Sequence, residues 1–333
     1  MSQSKRSILK IIFPLFLGCL LVYYSFYKIS FSELSDYFIN ANYFWIFLGA
    51  ALGFLSHLSR AYRWKFLVEP LGLKFRIWNS VMAVFTGYLI NYTVPRAGEV
   101  SRATILANYD GIPFEKGLGT IVAERIVDVV VMICIILFML VWKPELLIIT
   151  FEELNSLALS VQTDGDSSSA LIFILFTSLV VLAAFFIVFK FGFSLLLIKI
   201  KEVITGIGQG VLSIFKLKQK WFFIVHTLFI WFMYVLMFYV TTFSIDSISG
   251  LDFSIILIGF IAASFSVAFT NGGLGAYPLA VAISFSAFGV NEASGLAFGW
   301  IMWASQTVMI IFFGGISLIF LPIYNRIHSK KLN

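Results

Sequence analysis

The sequence predicts an all-α polytopic membrane protein, with about six full spans and two re-entrant helical hairpins arranged as an inverted repeat. Three observations carry this prediction. Of 333 residues, 60% are hydrophobic and only 12% charged, against roughly 25% charged in an ordinary soluble domain. Five windows (Ile11 to Tyr27, Ala41 to Ser59, Ala170 to Phe189, Trp221 to Ile245 and Ala293 to Asn325) contain no Asp, Glu, Lys or Arg, and a bilayer crossing needs about 20 mostly apolar residues. Two further apolar stretches are broken at matching places, one by Asn91-Tyr92-Thr93-Val94-Pro95-Arg96-Ala97-Gly98-Glu99 and one by Thr270-Asn271-Gly272-Gly273-Leu274-Gly275. Lipid cannot hydrogen-bond a backbone, so such breaks survive at membrane depth only inside protein or beside a water-filled cavity.

Taken in order, the first segment follows Lys5, Arg6 and Lys10, as a signal peptide would. Its apolar part is longer than a signal core and no Ala-x-Ala site follows, so it is expected to be a retained span. Phe31 to Ala41 has the pattern of a short amphipathic helix on the outer surface, with Glu33 and Asp36 as solvated charges. Residues 41–59 form the second span. Ile126 to Trp142, with Asp128 near its start, forms the third. The polar stretch 149–169 is expected to be an outer linker, dividing a first half (1–148) from a second (170–333). The basic stretch 190–220 suits a cytoplasmic surface helix attracted to anionic lipid.

Charge sets the orientation. Residues 1–10 carry +3, 60–76 carry +4, 190–220 carry +5 and 326–333 carry +3; 28–42 carry −1, 143–169 carry −4 and 244–252 carry −2. Lys and Arg accumulate on the cytoplasmic side, so the first set is inside, with 17 of the basic residues against two outside. Both termini are then cytoplasmic. An even number of crossings must lie between about 77 and 122 for the next span to finish outside. The returning arm holds Asp110, Glu115 and Lys116, so a re-entrant hairpin fits. A second hairpin at about 253–290 enters from the opposite face. The halves share little sequence beyond Thr93/Thr270 and Gly98/Gly275, and the repeat rests on topology.

Candidate site residues follow from cost. Ionisable groups in membrane segments are expensive and by default mark substrate or ion paths. They cluster here as Arg96, Glu99, Arg102, Glu124, Arg125 and Asp128. Arg96 and Arg102 would offer a guanidinium fork to a lipid phosphate, while Glu99 orients an arginine or meets a cationic headgroup. Asn91, Pro95 and Gly98 would break the backbone there, and Asn271, Gly272, Gly273 and Gly275 form the opposing turn. The competing reading makes the charges structural ion pairs at the cytoplasmic interface, and the glycines mere packing contacts. Cys19 and Cys134 suit buried free thiols. His57 and His226 have no Cys, His or acid at ligand spacing, so no metal site is expected. No nucleotide-binding motif is present, no cofactor is expected, and the net charge of +6 reflects membrane orientation rather than nucleic-acid binding.

The ordered set Arg60-x-x-Arg63-Trp64, Pro95-Arg96-Ala97-Gly98-Glu99-x-x-Arg102, Glu124-Arg125-x-x-Asp128 and Gly272-Gly273-Leu274-Gly275 resembles the lysylphosphatidylglycerol synthase transmembrane region, or flippase-like, family over nearly the whole chain. The resemblance implies a prokaryotic cytoplasmic-membrane protein whose partners are membrane lipids, anionic or aminoacylated phospholipid above all. In the best-known members this unit moves aminoacylated phosphatidylglycerol between leaflets and is fused to a soluble aminoacyl-transfer domain. This chain ends at Asn333, so it is expected to lack that domain and not to be an enzyme. Many relatives carry an acid three positions after the last glycine of the turn, where this chain has Pro278, which implies a different lipid preference. The expected function is a lipid translocator. The alternatives are a partner-dependent membrane scaffold for an envelope- or lipid-modifying enzyme and a lipid-linked transferase. A homo-oligomer is compatible with each.

Overall fold

The computed structural model describes residues 3–71, 75–94, 96–146, 148–150 and 217–329, with backbone alone for 3–12, 28, 328 and 329. Within them the secondary structure is helical throughout. Four described stretches are long and apolar enough to cross a membrane: Tyr43–Leu71, Phe114–Trp142, Lys220–Thr242 and Glu292–Ile327. Helix α1 (Gln3–Lys28) and α2 (Phe31–Asn40), bent by 86° at their junction, make a fifth if counted together. The expected span at 170–189, the linker from 151 and the basic stretch to 216 lie outside the described residues.

Local chemistry explains the boundaries. The Ser30 side chain accepts from the Glu33 amide at 3.2 Å and starts α2. Asn42 does the same for Phe44 at 3.1 Å and starts α3 (Tyr43–Arg63). A short helix, α4 (Lys65–Val68), continues that span. Such caps satisfy amides that a helix leaves unpaired.

Next, α5 (Ile77–Thr93) and α6 (Ala97–Asp110) form the first hairpin. It is shorter than the expected 77–122. Gly111, at φ 68°, and Pro113 end α6 and open α7 (Phe114–Trp142), so Glu115 and Lys116 belong to a long following helix. Glycine tolerates the left-handed conformation and proline breaks the amide ladder, which places the boundary there.

The next described helix is α8 (Lys220–Thr242). The second hairpin follows as α9 (Phe253–Ser266), a single 3-10 turn (Asn271–Gly273) and α10 (Ala276–Ser286). Asp252 caps α9, and its bonds to the Ser254 hydroxyl and amide hold its carboxyl below the usual range. The last helix, α11 (Glu292–Ser329), runs 38 residues.

Among the described residues, packing divides into two cores. One joins α8, α9, α10 and α11 through Phe238, Phe260, Phe285 and Phe298. The other lies around Trp64, Leu106 and Ile121, where α4 and α6 meet α7. Small residues let the backbones approach, as membrane helices require. A Cβ on Gly299 would stand 2.5 Å from Pro278 Cα, so Pro278 serves the packing of α10 on α11. Many large apolar side chains, including Phe47, Val141 and Phe320, point outward, as lipid contact demands. Cys19 and Cys134 are free but exposed, which corrects the expectation of buried thiols. An apolar span has an apolar outer face too, so its composition does not place a residue inside.

Candidate functional site

The first hairpin is held tight by glycine. A Cβ on Gly98 would collide with the Gly87 carbonyl and the Asn91 amide group, and one on Gly87 would lie 2.8 Å from Arg102 Cγ. Gly98 N–H donates to Asn91 Oδ1 at 2.7 Å, closing the turn across the break. Arg96 sits in that turn at φ 62°, a conformation costly for a side-chain-bearing residue, and its side chain is exposed. Pro95 lies outside the described residues.

The close approach of α5 and α6 drives Arg102 inward. Its guanidinium stacks on Trp64, 4.2 Å from the ring centre, and donates to Glu124 Oε2 at 2.8 Å. Glu124 is wholly buried and also accepts from Arg63 at 3.3 Å. Arg63 reaches Asp128 at 3.1 Å and Thr227 on α8 at 2.9 Å. Arg60 donates to Asp128 Oδ2 at 2.5 Å. Arg125 bridges to Glu99 at 3.1 Å and approaches Asp128 at 3.8 Å. Trp64 is fixed by donating to Thr120 Oγ1 at 2.8 Å. Helices α3, α6 and α7 therefore share one buried network.

The sequence-derived set is thus divided. Glu99, Arg102, Glu124, Arg125 and Asp128 come together. Glu99 pairs with Arg125 instead of Arg96, and Arg96 has no ion-pair partner among the described residues. Arg102 and Arg96 consequently do not form the expected fork: one is turned into Glu124 and the other faces outward.

Two members were missed as site residues. Arg60 and Arg63 had been counted among cytoplasmic loop charges, yet both lie within α3 and are buried. Their spacing of three along the end of an apolar helix was the available signal, since it puts both on one face.

The second set gathers at the hairpin tips. Asn271 Nδ2 lies 3.5 Å from the Thr93 carbonyl, and the Tyr92 ring occupies the space where Gly272 would carry a Cβ. Tyr92 also meets Thr307 at 3.1 Å, and Trp303 Nε1 donates to the Gly272 carbonyl at 2.8 Å. Gly272, Gly273 and Gly275 all adopt positive φ. Asn91 and Gly98 belong to the first turn, Asn271 to the second, and the two breaks touch.

Charge in the network does not balance. Four guanidiniums face three carboxylates, leaving one positive charge in excess. Four buried donors, Nε of Arg60 and Arg63 and both Nε and a terminal nitrogen of Arg102, have no partner among the described residues. Buried polar groups are ordinarily bonded, so these donors call for a water, an anion or local strain to satisfy them. No group of three or more His, Cys, Asp or Glu placed to hold a metal occurs among the described residues.

The family model for the lysylphosphatidylglycerol synthase TM region matches residues 11–314. The chain belongs to that family. A UPF0104 membrane protein of Methanocaldococcus jannaschii is 29% identical over 140 residues, covering 41% of this chain and 40% of the relative. The chain thus spans less than half the length of the curated relative it matches. No solved structure matches. The motifs that suggested the family map onto the network and the tips: Arg60, Arg63 and Trp64 join Arg102, Glu124 and Asp128, while the Gly turn meets α5. This member of the family carries its buried charges within a multi-pass helical membrane protein.

Proposed function

We propose that this protein is a lipid translocator. In this reading it is a carrier rather than an enzyme, set in the cytoplasmic membrane of a prokaryote with both termini inside. It moves the phosphate-bearing headgroup of an anionic or aminoacylated phospholipid between leaflets, while the acyl chains stay in the bilayer. Six spans and two hairpins form an inverted repeat in this reading, with the headgroup path between the hairpins. The observation that carries the proposal is the surplus guanidinium of the buried network, with its unpartnered Arg102 donors. A phosphate would supply both the missing charge and the missing acceptors, and arginine suits phosphate better than lysine does. Arg96, exposed at the hairpin turn, would collect the headgroup before it enters. A groove of about 450 Å³ between α3, α5 and α8, lined by Leu55, Tyr62, Trp78, Val81 and Phe229, offers an apolar track for a chain.

The test is headgroup translocation in proteoliposomes with labelled phosphatidylglycerol, lysyl-phosphatidylglycerol and phosphatidylethanolamine. Arg96→Ala touches only an exposed side chain, so its thermal stability should match the native protein within the usual surface range of about 0.5 kcal/mol. Its transport should fall at least about tenfold, the equivalent of about 1.4 kcal/mol. Native-like transport by this variant would remove Arg96 from the path, and no transport of any lipid by folded native protein would sink the translocator.

One observation favours a second reading. Glu99, Glu124 and Asp128 are all already paired, as a structural clamp would have them. A scaffold that recruits a separate lipid-modifying enzyme would use the clamp only for rigidity. Stable co-purification of such an enzyme, with no transport by the protein alone, would support that alternative.

A further inference from the structure

Behind the network lies a histidine that the headgroup reading does not use. His57 is buried on α3, three residues before Arg60. Arg60 donates to the Tyr234 oxygen at 3.4 Å, and the same hydroxyl lies 3.4 Å from His57 Nδ1. A guanidinium has donors only. The Tyr234 oxygen therefore accepts from Arg60, and its own proton is free to be donated to His57. In that direction Nδ1 is an acceptor and the imidazole is neutral, with its proton on Nε2; a protonated Nδ1 would instead donate to the Tyr234 oxygen, which has a second lone pair to accept it.

Among the described residues, no carboxylate is free to pair with a second positive charge there. From α5, the Tyr88 ring stands 4.7 Å away and Phe85 meets the imidazole edge-on at 5.8 Å. From α8 comes Tyr234, and that helix carries no charged residue after Lys220. From α11, Phe313 packs on Phe85, and no charged residue lies between Glu292 and Arg326. On α4, Lys65 is paired with Glu69. The carboxylate that reaches toward this corner, Asp128, is shared among Arg60, Arg63 and Arg125. Glu124 is taken by Arg63 and Arg102. With one guanidinium in excess, the network has no free carboxylate to offer an imidazolium at His57 until an anion arrives.

We infer that His57 is a proton site coupled to anion binding, so that a phosphate group and one proton enter the site together. This rests on the headgroup reading above. The phosphate turns the network from net positive to neutral or negative, and His57 Nδ1 then takes a proton from the bulk solvent's proton pool to become imidazolium, while the Tyr234 hydroxyl turns to accept from it. Coupling of this kind is reciprocal: the anion raises proton affinity and the proton raises anion affinity by the same factor. A proton gradient would thereby drive, or be driven by, headgroup movement.

The chain has three histidines, so ¹⁵N-histidine labelling gives a readable imidazole spectrum of the whole protein in nanodiscs. The probes are short-chain phosphatidylglycerol and, separately, inorganic phosphate, each added at about pH 6.5, near the unperturbed imidazole pKa. One imidazole should change from the neutral tautomer to imidazolium on saturation. His226→Gln and His328→Gln should retain that change and His57→Gln should lose it. The two flanking variants make the assignment even if His57→Gln does not fold. Anion affinity of the native protein should strengthen by up to about tenfold per pH unit of acidification across the coupled titration. Saturation with no change at His57 overturns the inference while the headgroup reading stands. Protonation induced by inorganic phosphate but not by the lipid keeps the inference and overturns the headgroup reading. Binding of neither probe overturns both.

Discussion

Glu124 holds two guanidiniums at once, with Arg102 at 2.8 Å and Arg63 at 3.3 Å, and no part of its side chain reaches the surface. Its contribution is large because of what its removal leaves behind. Breaking a buried pair strands an uncompensated charge and typically costs about 3–5 kcal/mol, far more than the pair gains over a hydrophobic substitute. Glu124→Gln should therefore destabilise the protein by about 3 kcal/mol or more, read as denaturant unfolding in detergent. Glu99→Gln should cost less, because the Glu99–Arg125 pair is partly exposed and solvent screens it. A Glu124→Gln variant as stable as the native protein would show that the network tolerates an unpaired guanidinium.

At the scale of elements, the decisive feature is how closely α5 and α6 approach. Glycines at 87 and 98 let each backbone touch the other arm, and Gly98 N–H closes onto Asn91. That approach places Arg102 against Trp64 and Glu124. Gly98→Ala would force the arms apart, since its methyl group has no space against the Gly87 carbonyl. Overpacking of this kind costs about 1–3 kcal/mol. The variant should lose that much stability, and in the translocation assay its activity should fall further than Arg96→Ala lowers it, because the whole network shifts. Gly119→Ala is the control: a Cβ there meets open space on a helix, and the substitution should be neutral or slightly stabilising. Equal effects at 98 and 119 would refute the close-packing account.

For the whole molecule, exposure of the helices to lipid decides both labelling and orientation. Cys19 and Cys134 face outward, so a lipid-soluble maleimide should label them while a membrane-impermeant one should not. With both replaced by serine, Asp246→Cys should react with impermeant reagent from outside intact cells. Lys218→Cys should react only after permeabilisation, as the bias in Lys and Arg requires. The reverse pattern would overturn the proposed topology with both termini inside.

What the sequence determined by itself was the class of molecule and the places where its helices break. Uncharged runs of membrane length, the break around Pro95 to Gly98, and the Gly272-Gly273-Leu274-Gly275 turn are local signals, whereas the earlier end of the first hairpin at Gly111 and Pro113 came from the structure. Such local signals act through backbone chemistry that no distant residue can override. The clustering of Glu99, Arg102, Glu124, Arg125 and Asp128 was also legible, because charges in apolar segments must find one another. Only the tertiary structure decided who pairs with whom. Arg60 and Arg63 read as loop charges until α3 was seen to end against α7. Arg96 read as a partner of Arg102 until the left-handed turn sent it outward. His57 read only as a histidine without neighbours at ligand spacing until α8 brought Tyr234 between it and Arg60. Pairings across 60 to 180 residues depend on which helix faces meet. Those faces are chosen by packing of small residues that leaves no period in the sequence.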